Sequence, residues 1–155
     1  MKYFLTFLLF FFMASTAGAE TLSESEIISF IETVDSSFKN RDPEALASSL
    51  SDSAKLKGTT TVSGSQSEYS ANKEQYVSSV VAAWNNYKNY EYTKEQSTIT
   101  NISKSSAVVD EVVVETFEIG GDSYEVRSEN KVFIEKDQKT LKAIKIITNS
   151  TVTKT

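Results

Sequence analysis

Carboxylates and tyrosines are the side chains in this sequence that could do chemistry. The 155 residues include no His and no Cys, which removes the commonest bases and nucleophiles near neutral pH and the usual zinc and haem ligands. Glu111 and Glu115 fall on one predicted strand and Glu129 on the next. If they faced a pocket, burial would raise the pKa of each carboxyl toward a value useful for catalysis. We favour an outer, solvated face, because they alternate with Val112 and Val114.

Aromatic side chains with polar tips form a second candidate group. Such side chains suit both a protein core and a ligand pocket. Tyr90 and Tyr92 share one strand face and could line a pocket mouth or a dimer surface, whereas core is favoured for Trp84. The pocket candidates are Tyr76, Trp84, Tyr90, Tyr92, Glu111, Glu115 and Glu129. We assign no catalytic residue and expect no metal or cofactor, because the sequence contains neither transition-metal ligands nor a calcium-binding loop.

The first nineteen residues have the three parts of a secretory signal peptide. Lys2 supplies the positive charge, residues 4–13 an apolar run and residues 17–19 (AGA) a cleavage site of small residues. The run is about half the roughly 20 apolar residues that span a bilayer, and no cysteine is present for a lipid anchor. We therefore expect cleavage after residue 19 and an exported bacterial protein, periplasmic or secreted, with no integral membrane segment.

The remaining residues, 20–155, have the length and charge of one acidic domain. They are numerous enough to build one core, and the lack of Cys excludes disulfides as the source of stability. The net charge is −5 for the full chain and −6 without Lys2, which disfavours nucleic acid as a partner. Acidic residues concentrate in 20–54 and lysines in 131–155, which we interpret as two solvated faces that attract each other.

Hydrophobic periodicity predicts three helices. Ser23 and Glu26 form a capping box at the start of a helix over residues 24–39. Asp42, followed by Pro, opens a short second helix, because Asp accepts from free backbone amides and the fixed φ of Pro suits the first turn. A third helix begins near Asn72 and carries a wide, aromatic buried stripe.

The other segments have strand character. A first strand is expected at 54–62, followed by a polar loop at 63–70. Four long strands then form an antiparallel meander, in which a Gly-Gly pair makes one tight hairpin turn. Their expected ranges are 90–102, 107–119, 123–136 and 140–153. Helices lying together on one face of such a curved sheet give an α+β fold.

The run FKNRDPEAL at residues 38–46, followed by LSDSA at 50–54, resembles the nuclear transport factor 2-like superfamily. Its members include ketosteroid isomerases and SnoaL-like polyketide cyclases. The segment 132–144 is similar to the family's last hairpin, although Leu141 stands where the family usually has Trp. The resemblance spans residues 24–152. It implies a cystatin-like roll, with three N-terminal helices packed on a curved antiparallel sheet that forms a conical pocket, and a homodimer.

The resemblance does not carry a catalytic mechanism with it. Isomerase relatives place an acidic base on the first strand, and the matching position here is Gly58. Their tyrosine on the first helix matches Val34, and their hydrogen-bonding acid on the penultimate strand falls near Asn130 or Lys131. None of these three roles is filled, so the isomerase mechanism is not expected.

These observations favour an exported, non-catalytic binding domain that holds a small apolar ligand or a protein partner. One alternative is a carboxylate-dependent isomerase, cyclase or hydrolase with its acids at other positions. Another is an accessory subunit of an envelope assembly. An enzyme needs a buried carboxyl or tyrosine with a shifted pKa beside a cavity, so the placement of Glu111, Glu115 and Glu129 distinguishes the first two possibilities.

Overall fold

The computed structural model describes residues 21–155, within which it contains three helices and six strands. In chain order these are α1 (Glu24–Lys39), α2 (Pro43–Ser49), β1 (Leu50–Val62), β2 (Ser65–Asn72), α3 (Lys73–Asn86), β3 (Lys88–Ile102), β4 (Ser106–Ile119), β5 (Asp122–Asp137) and β6 (Thr140–Lys154). The predicted signal peptide lies outside the described residues, so export stays a prediction. None of the helices in this range is long and apolar enough to cross a membrane.

The three helices begin at the caps that the sequence predicts. Glu26 N–H donates to Ser23 Oγ at 3.2 Å, and Ser23 N–H donates to Glu26 Oε2 at 2.9 Å. Asp42 Oδ1 accepts from two backbone N–H groups of α2, both at 3.0 Å. Asn72 and Gln75 repeat the capping box at α3. Each cap satisfies amide groups that the first turn leaves without a partner.

The six strands form one curved, unclosed sheet in the order β2-β1-β6-β5-β4-β3. Neighbouring strands are antiparallel except β1 and β6, which are parallel, so the expectation of a wholly antiparallel sheet is wrong at that pair. The expectation of a polar loop at 63–70 is also wrong. Ser63 and Gly64 form a tight turn with φ of 50° and 81°, and β2 then pairs with β1. A polar edge strand needs no apolar face, so its sequence lacks the alternation that marks a strand.

The helices cover the inner face of the sheet, and the core lies between them. The core cluster consists of Leu22, Ile27, Ile31, Leu50, Ala54, Leu56, Ala107, Val109, Val132, Ile134 and Ala143. Lys136 Nζ lies 2.8 Å from Glu26 Oε1 and joins β5 to α1. This ion pair connects the basic C-terminal segment to the acidic N-terminal segment, as the charge distribution predicts.

Two adjacent isoleucines of α1 test how much this core contributes. Ile27 is 0 % exposed and Ile28 is 50 % exposed, and replacing either by Ala changes helix propensity equally. Ile27→Ala is expected to lower the free energy of unfolding by about 2 to 5 kcal/mol, because it leaves a cavity. Ile28→Ala should change it by no more than about 0.5 kcal/mol. Urea unfolding of both variants measures the difference, and equal losses would contradict this packing.

Candidate functional site

A cavity of about 220 Å³ lies between the helices and the inner face of the sheet. Aromatic rings from the helices and from β3 line it. The Phe38 ring meets the Trp84 ring edge to face, with centroids 5.8 Å apart, and stacks on Tyr92 with centroids 5.3 Å apart. Tyr87 also lines the cavity and stacks on Phe117 at 3.7 Å. These contacts fix the aromatic wall, since each ring is held by another.

The sheet side of the cavity carries most of the polar groups. Strand register places Glu111 beside Asn130, Asn130 beside Thr148, Thr148 beside Gly58, and Gly58 beside Tyr69. We call these five residues the Glu111 row. All except Gly58 line the cavity, so the row brings a carboxyl, an amide and two hydroxyl groups across five strands.

A neighbouring row adds a pair of hydroxyl groups. Ser128 on β5 lies beside Ser150 on β6, and their Oγ atoms are 2.8 Å apart. Both line the cavity, so a bound molecule meets further donors and acceptors next to Asn130.

Glu111 is the most deeply buried acid of the cavity, with 7 % of the residue exposed. Burial and the nearby negative charge of Asp35 raise the pKa of its carboxyl to about 7, against the opposing effects of Lys94 and a hydrogen bond from Ser97. The Ser97 hydroxyl donates to Glu111 Oε1 at 3.5 Å, a long bond. Glu111 therefore changes its charge near neutral pH, as a general acid or base must.

Asp35 on α1 holds the side chains around Glu111 in place. It is 5 % exposed. The hydroxyl of Tyr92 donates to its Oδ1 at 2.9 Å, and Lys94 Nζ lies 2.5 Å from its Oδ2. Burial and the Asp35 charge raise the pKa of Tyr92, so its hydroxyl keeps its proton and acts as a donor.

Glu115 is half-buried and makes a second, separate pair. The Tyr90 hydroxyl donates to Glu115 Oε1 at 2.6 Å. Burial raises the pKa of Glu115, and the Tyr90 hydrogen bond opposes that shift. The Arg41 guanidinium lies over the Tyr90 ring, 4.7 Å from its centroid. Arg41 Nη1 also donates to the carbonyl oxygen of Trp84 at 3.1 Å, which ties the end of α3 to this pair.

The structure separates the predicted pocket residues into three groups. Tyr76, Trp84, Tyr92, Glu111 and Glu115 line the cavity. Tyr90 does not line the cavity itself, but its hydroxyl donates to Glu115, which does. Glu129 is exposed on the outer face of the sheet, away from the helices, in a shallow groove beside Arg127.

The favoured outer face is therefore wrong for Glu111 and Glu115. Side chains alternate along β4, and Glu111 shares its face with the buried Val109 and Val113, not with Val112. Both faces of β4 carry valines, so the alternation alone did not identify the inner one.

Two residues of the site were not anticipated from the sequence. Asp35 lies within the apolar stripe of α1, four residues after Ile31, and an acid in such a stripe is a signal of a buried polar contact. Tyr69 covers Gly58, because a Cβ atom on that glycine would lie 2.4 Å from the Tyr69 ring. A glycine inside a strand marks such a close approach.

No group of three or more acidic side chains within residues 21–155 is arranged to hold a metal ion. Of the two carboxyls that line the cavity, Glu115 accepts from the Tyr90 hydroxyl and Glu111 from the Ser97 hydroxyl. Such groups can transfer protons and form hydrogen bonds.

Comparison with known proteins defines the class of fold. No protein-family model matches the chain, and no curated protein is similar to it in sequence. Solved structures are similar in fold. A hexachlorocyclohexane dehydrochlorinase from Novosphingobium barchaimii has a TM-score of 0.63 and 18% identity, over 84% of this chain and 88% of that one.

Two further structures agree with this class. A ketosteroid isomerase-like protein from Erwinia carotovora has a TM-score of 0.60 and 12% identity, over 81% of this chain and 94% of that one. A protein with a cystatin-like fold from Caulobacter vibrioides has a TM-score of 0.63 and 12% identity, over 81% and 87%. The predicted resemblance is confirmed at the level of fold: the chain has an α+β, cystatin-like fold similar to that of these proteins.

The burial of Glu111 makes stability depend on pH. Its pKa rises from 4.5 to about 7 on folding, so between these values the folded chain holds a proton that the unfolded chain has lost. This contribution to stability is present below pH 4.5 and is lost as pH rises through about 7. Glu111→Gln has no carboxyl to titrate, so its stability does not fall with pH for this reason. Relative to wild type, we expect the variant to gain about 3 kcal/mol of unfolding free energy across this range, at about 1.36 kcal/mol per pKa unit.

Urea unfolding at several pH values, for wild type and Glu111→Gln, checks this prediction. Glu129→Gln is the matched control, because Glu129 is exposed on the opposite face of the sheet. Its pH dependence should follow that of wild type. If the Glu111→Gln curve also runs parallel to wild type, Glu111 does not titrate as described.

Proposed function

We propose that this protein binds a small, largely apolar molecule in the cavity between its helices and its sheet. The observation that carries the proposal is the cavity itself, whose volume of about 220 Å³ is lined by aromatic rings, aliphatic side chains and a few polar groups. Small-molecule sites are typically concave and apolar, with a small number of polar groups that orient the ligand.

The aromatic rings and the polar rows offer a ligand two different kinds of contact. Phe38, Trp84 and Tyr92 offer flat apolar surfaces, and Glu111 with Asn130 offers hydrogen bonds. A planar or ring-shaped molecule with one polar end can make both kinds of contact. One structural neighbour is named for hexachlorocyclohexane, a small apolar ring, which supports a ligand of this size class.

Trp84 reports on occupancy, because it is the only tryptophan of the sequence and lines the cavity. Toluene added to the purified protein should change Trp84 fluorescence in a saturable way. Val126→Phe places a larger side chain in the cavity and should abolish this change. Val114→Phe, on the outer face of β4, is the matched control and should leave it intact. Saturation that survives Val126→Phe would place binding elsewhere.

A specific observation favours a second function, proton transfer by Glu111. The Glu111 row contains Gly58 and Asn130, two of the positions at which the resemblance implies catalytic acids. The carboxyl missing from both positions is present in the same row on β4. In this proposal Glu111 in its ionised form removes a proton from a carbon of the bound molecule and returns it, while Asn130 donates a hydrogen bond to the oxygen that gains charge.

Hydrogen–deuterium exchange tests this second function without knowledge of the substrate. Acetophenone is a suitable probe, because it is planar and its methyl hydrogens exchange by base catalysis. Wild type should accelerate exchange in D₂O, with a rate that rises with pH through about 7. Glu111→Gln should slow the exchange about 100-fold or more. Mass spectrometry of the ketone measures the rate.

Glu129→Gln is the control for this assay and should exchange acetophenone at the wild-type rate. A Glu111→Gln protein that is as active as wild type would exclude this glutamate as the base. A wild-type rate equal to that of buffer would leave non-catalytic binding as the function.

Export, a homodimer formed through the sheet, a protein partner and a place in an envelope assembly remain proposals from the sequence.

A further inference from the structure

We propose that the molecule bound in this cavity carries a positive charge, as an organic ammonium group attached to a small apolar body. This inference rests on the proposed binding function and names the chemical class of its ligand. It comes from the charges around the cavity, the unmet hydrogen-bonding capacity of Glu111 and the faces of the aromatic wall.

The charges that line the cavity have one sign. Among the described residues, the lining includes the carboxyls of Glu111 and Glu115 and no Lys or Arg. The two cations nearby are already engaged. Lys94 is paired with Asp35, and Arg41 lies over Tyr90 while donating to backbone carbonyls. An anionic ligand would meet no free cation here, whereas a cationic ligand meets two carboxyls.

The Glu111 carboxyl has room for a further partner. Only 7 % of Glu111 is exposed. The hydrogen bond that its carboxyl accepts from Ser97 is at the limit of bonding distance. A carboxylate can accept several hydrogen bonds, and those from a charged donor are the strongest. An ammonium group would supply such donors, and its charge would offset the cost of ionising a buried acid.

Aromatic rings line the same cavity as these carboxyls. They belong to Phe38, Trp84, Tyr87 and Tyr92. Cations are attracted to the faces of aromatic rings within about 6 Å, most strongly to Trp. An ammonium group in this cavity can therefore contact an aromatic ring as well as a carboxyl, while the apolar body of the ligand fills the remaining space.

Binding of a cation beside Glu111 must also displace the proton from the Glu111 carboxyl. The ionisable groups that surround Glu111 from the packed elements are Asp35 of α1, Tyr69 of β2, Tyr76 of α3, Tyr92 and Lys94 of β3, and Glu115 of β4. Lys94 favours ionised Glu111, but burial and the charge of Asp35 outweigh it. A ligand cation would add to the effect of Lys94. The affinity of such a ligand should rise with pH as the Glu111 carboxyl, whose pKa is about 7, loses its proton.

Benzylamine, benzyl alcohol and phenylacetate form a matched set of probes: a cation, a neutral molecule of the same shape and an anion. We expect calorimetry at about pH 8 to show benzylammonium binding at least about tenfold more tightly than benzyl alcohol, and phenylacetate not binding. At about pH 5.5 the preference should shrink about tenfold. Titration near pH 7 in buffers of different ionisation enthalpy should show proton release on binding.

Glu111→Gln should lose the preference and bind benzylammonium no more tightly than it binds benzyl alcohol. Glu129→Gln should keep the preference. Benzyl alcohol that binds as tightly as benzylammonium, or a preference that survives Glu111→Gln, overturns the inference and leaves the proposed function standing. If none of the probes binds and toluene does not change Trp84 fluorescence, the proposed function fails as well.

Discussion

The site depends on one constraint: two glutamates of β4 point to the inner, apolar side of the sheet. A buried carboxyl must lose its charge or find partners. Glu115 has the Tyr90 hydroxyl, and Glu111 stays protonated up to about pH 7. The Asp35 and Lys94 pair, the Tyr92 hydrogen bond and the Arg41 contact with Tyr90 surround these two acids and limit where they can move. Both acids line the cavity.

Much of the fold could be predicted because its signals are local. Caps at Ser23, Asp42 and Asn72 define the starts of the three helices, and alternation with turn residues defines the long strands. Edge strand β2 was not predicted, because its residues are mostly polar and exposed and so show no hydrophobic alternation. The parallel pairing of β1 with β6 was also not predicted, because it is set by the packing of the whole chain.

The candidate site was predicted only in part. Tyr76, Trp84 and Tyr92, three of the pocket candidates, line the cavity, although the sequence favoured a core position for Trp84. Whether Glu111 faces inward is decided by the register of β4 between two neighbouring strands, and both faces of that strand carry valine. Asp35 is paired with residues more than fifty positions away, and no local pattern reports such a contact.

The close approach of Tyr69 to Gly58 links two properties that would otherwise be independent. The Tyr69 ring is 39 % exposed and occupies the place where any side chain at 58 would project. The far end of a tyrosine can swing outward, so a mutation of Gly58 to an acid would bring a carboxyl into the row and open that side of the cavity in one step. A single substitution at this glycine would therefore change both the chemical group in the row and the position of the Tyr69 ring that lines the cavity.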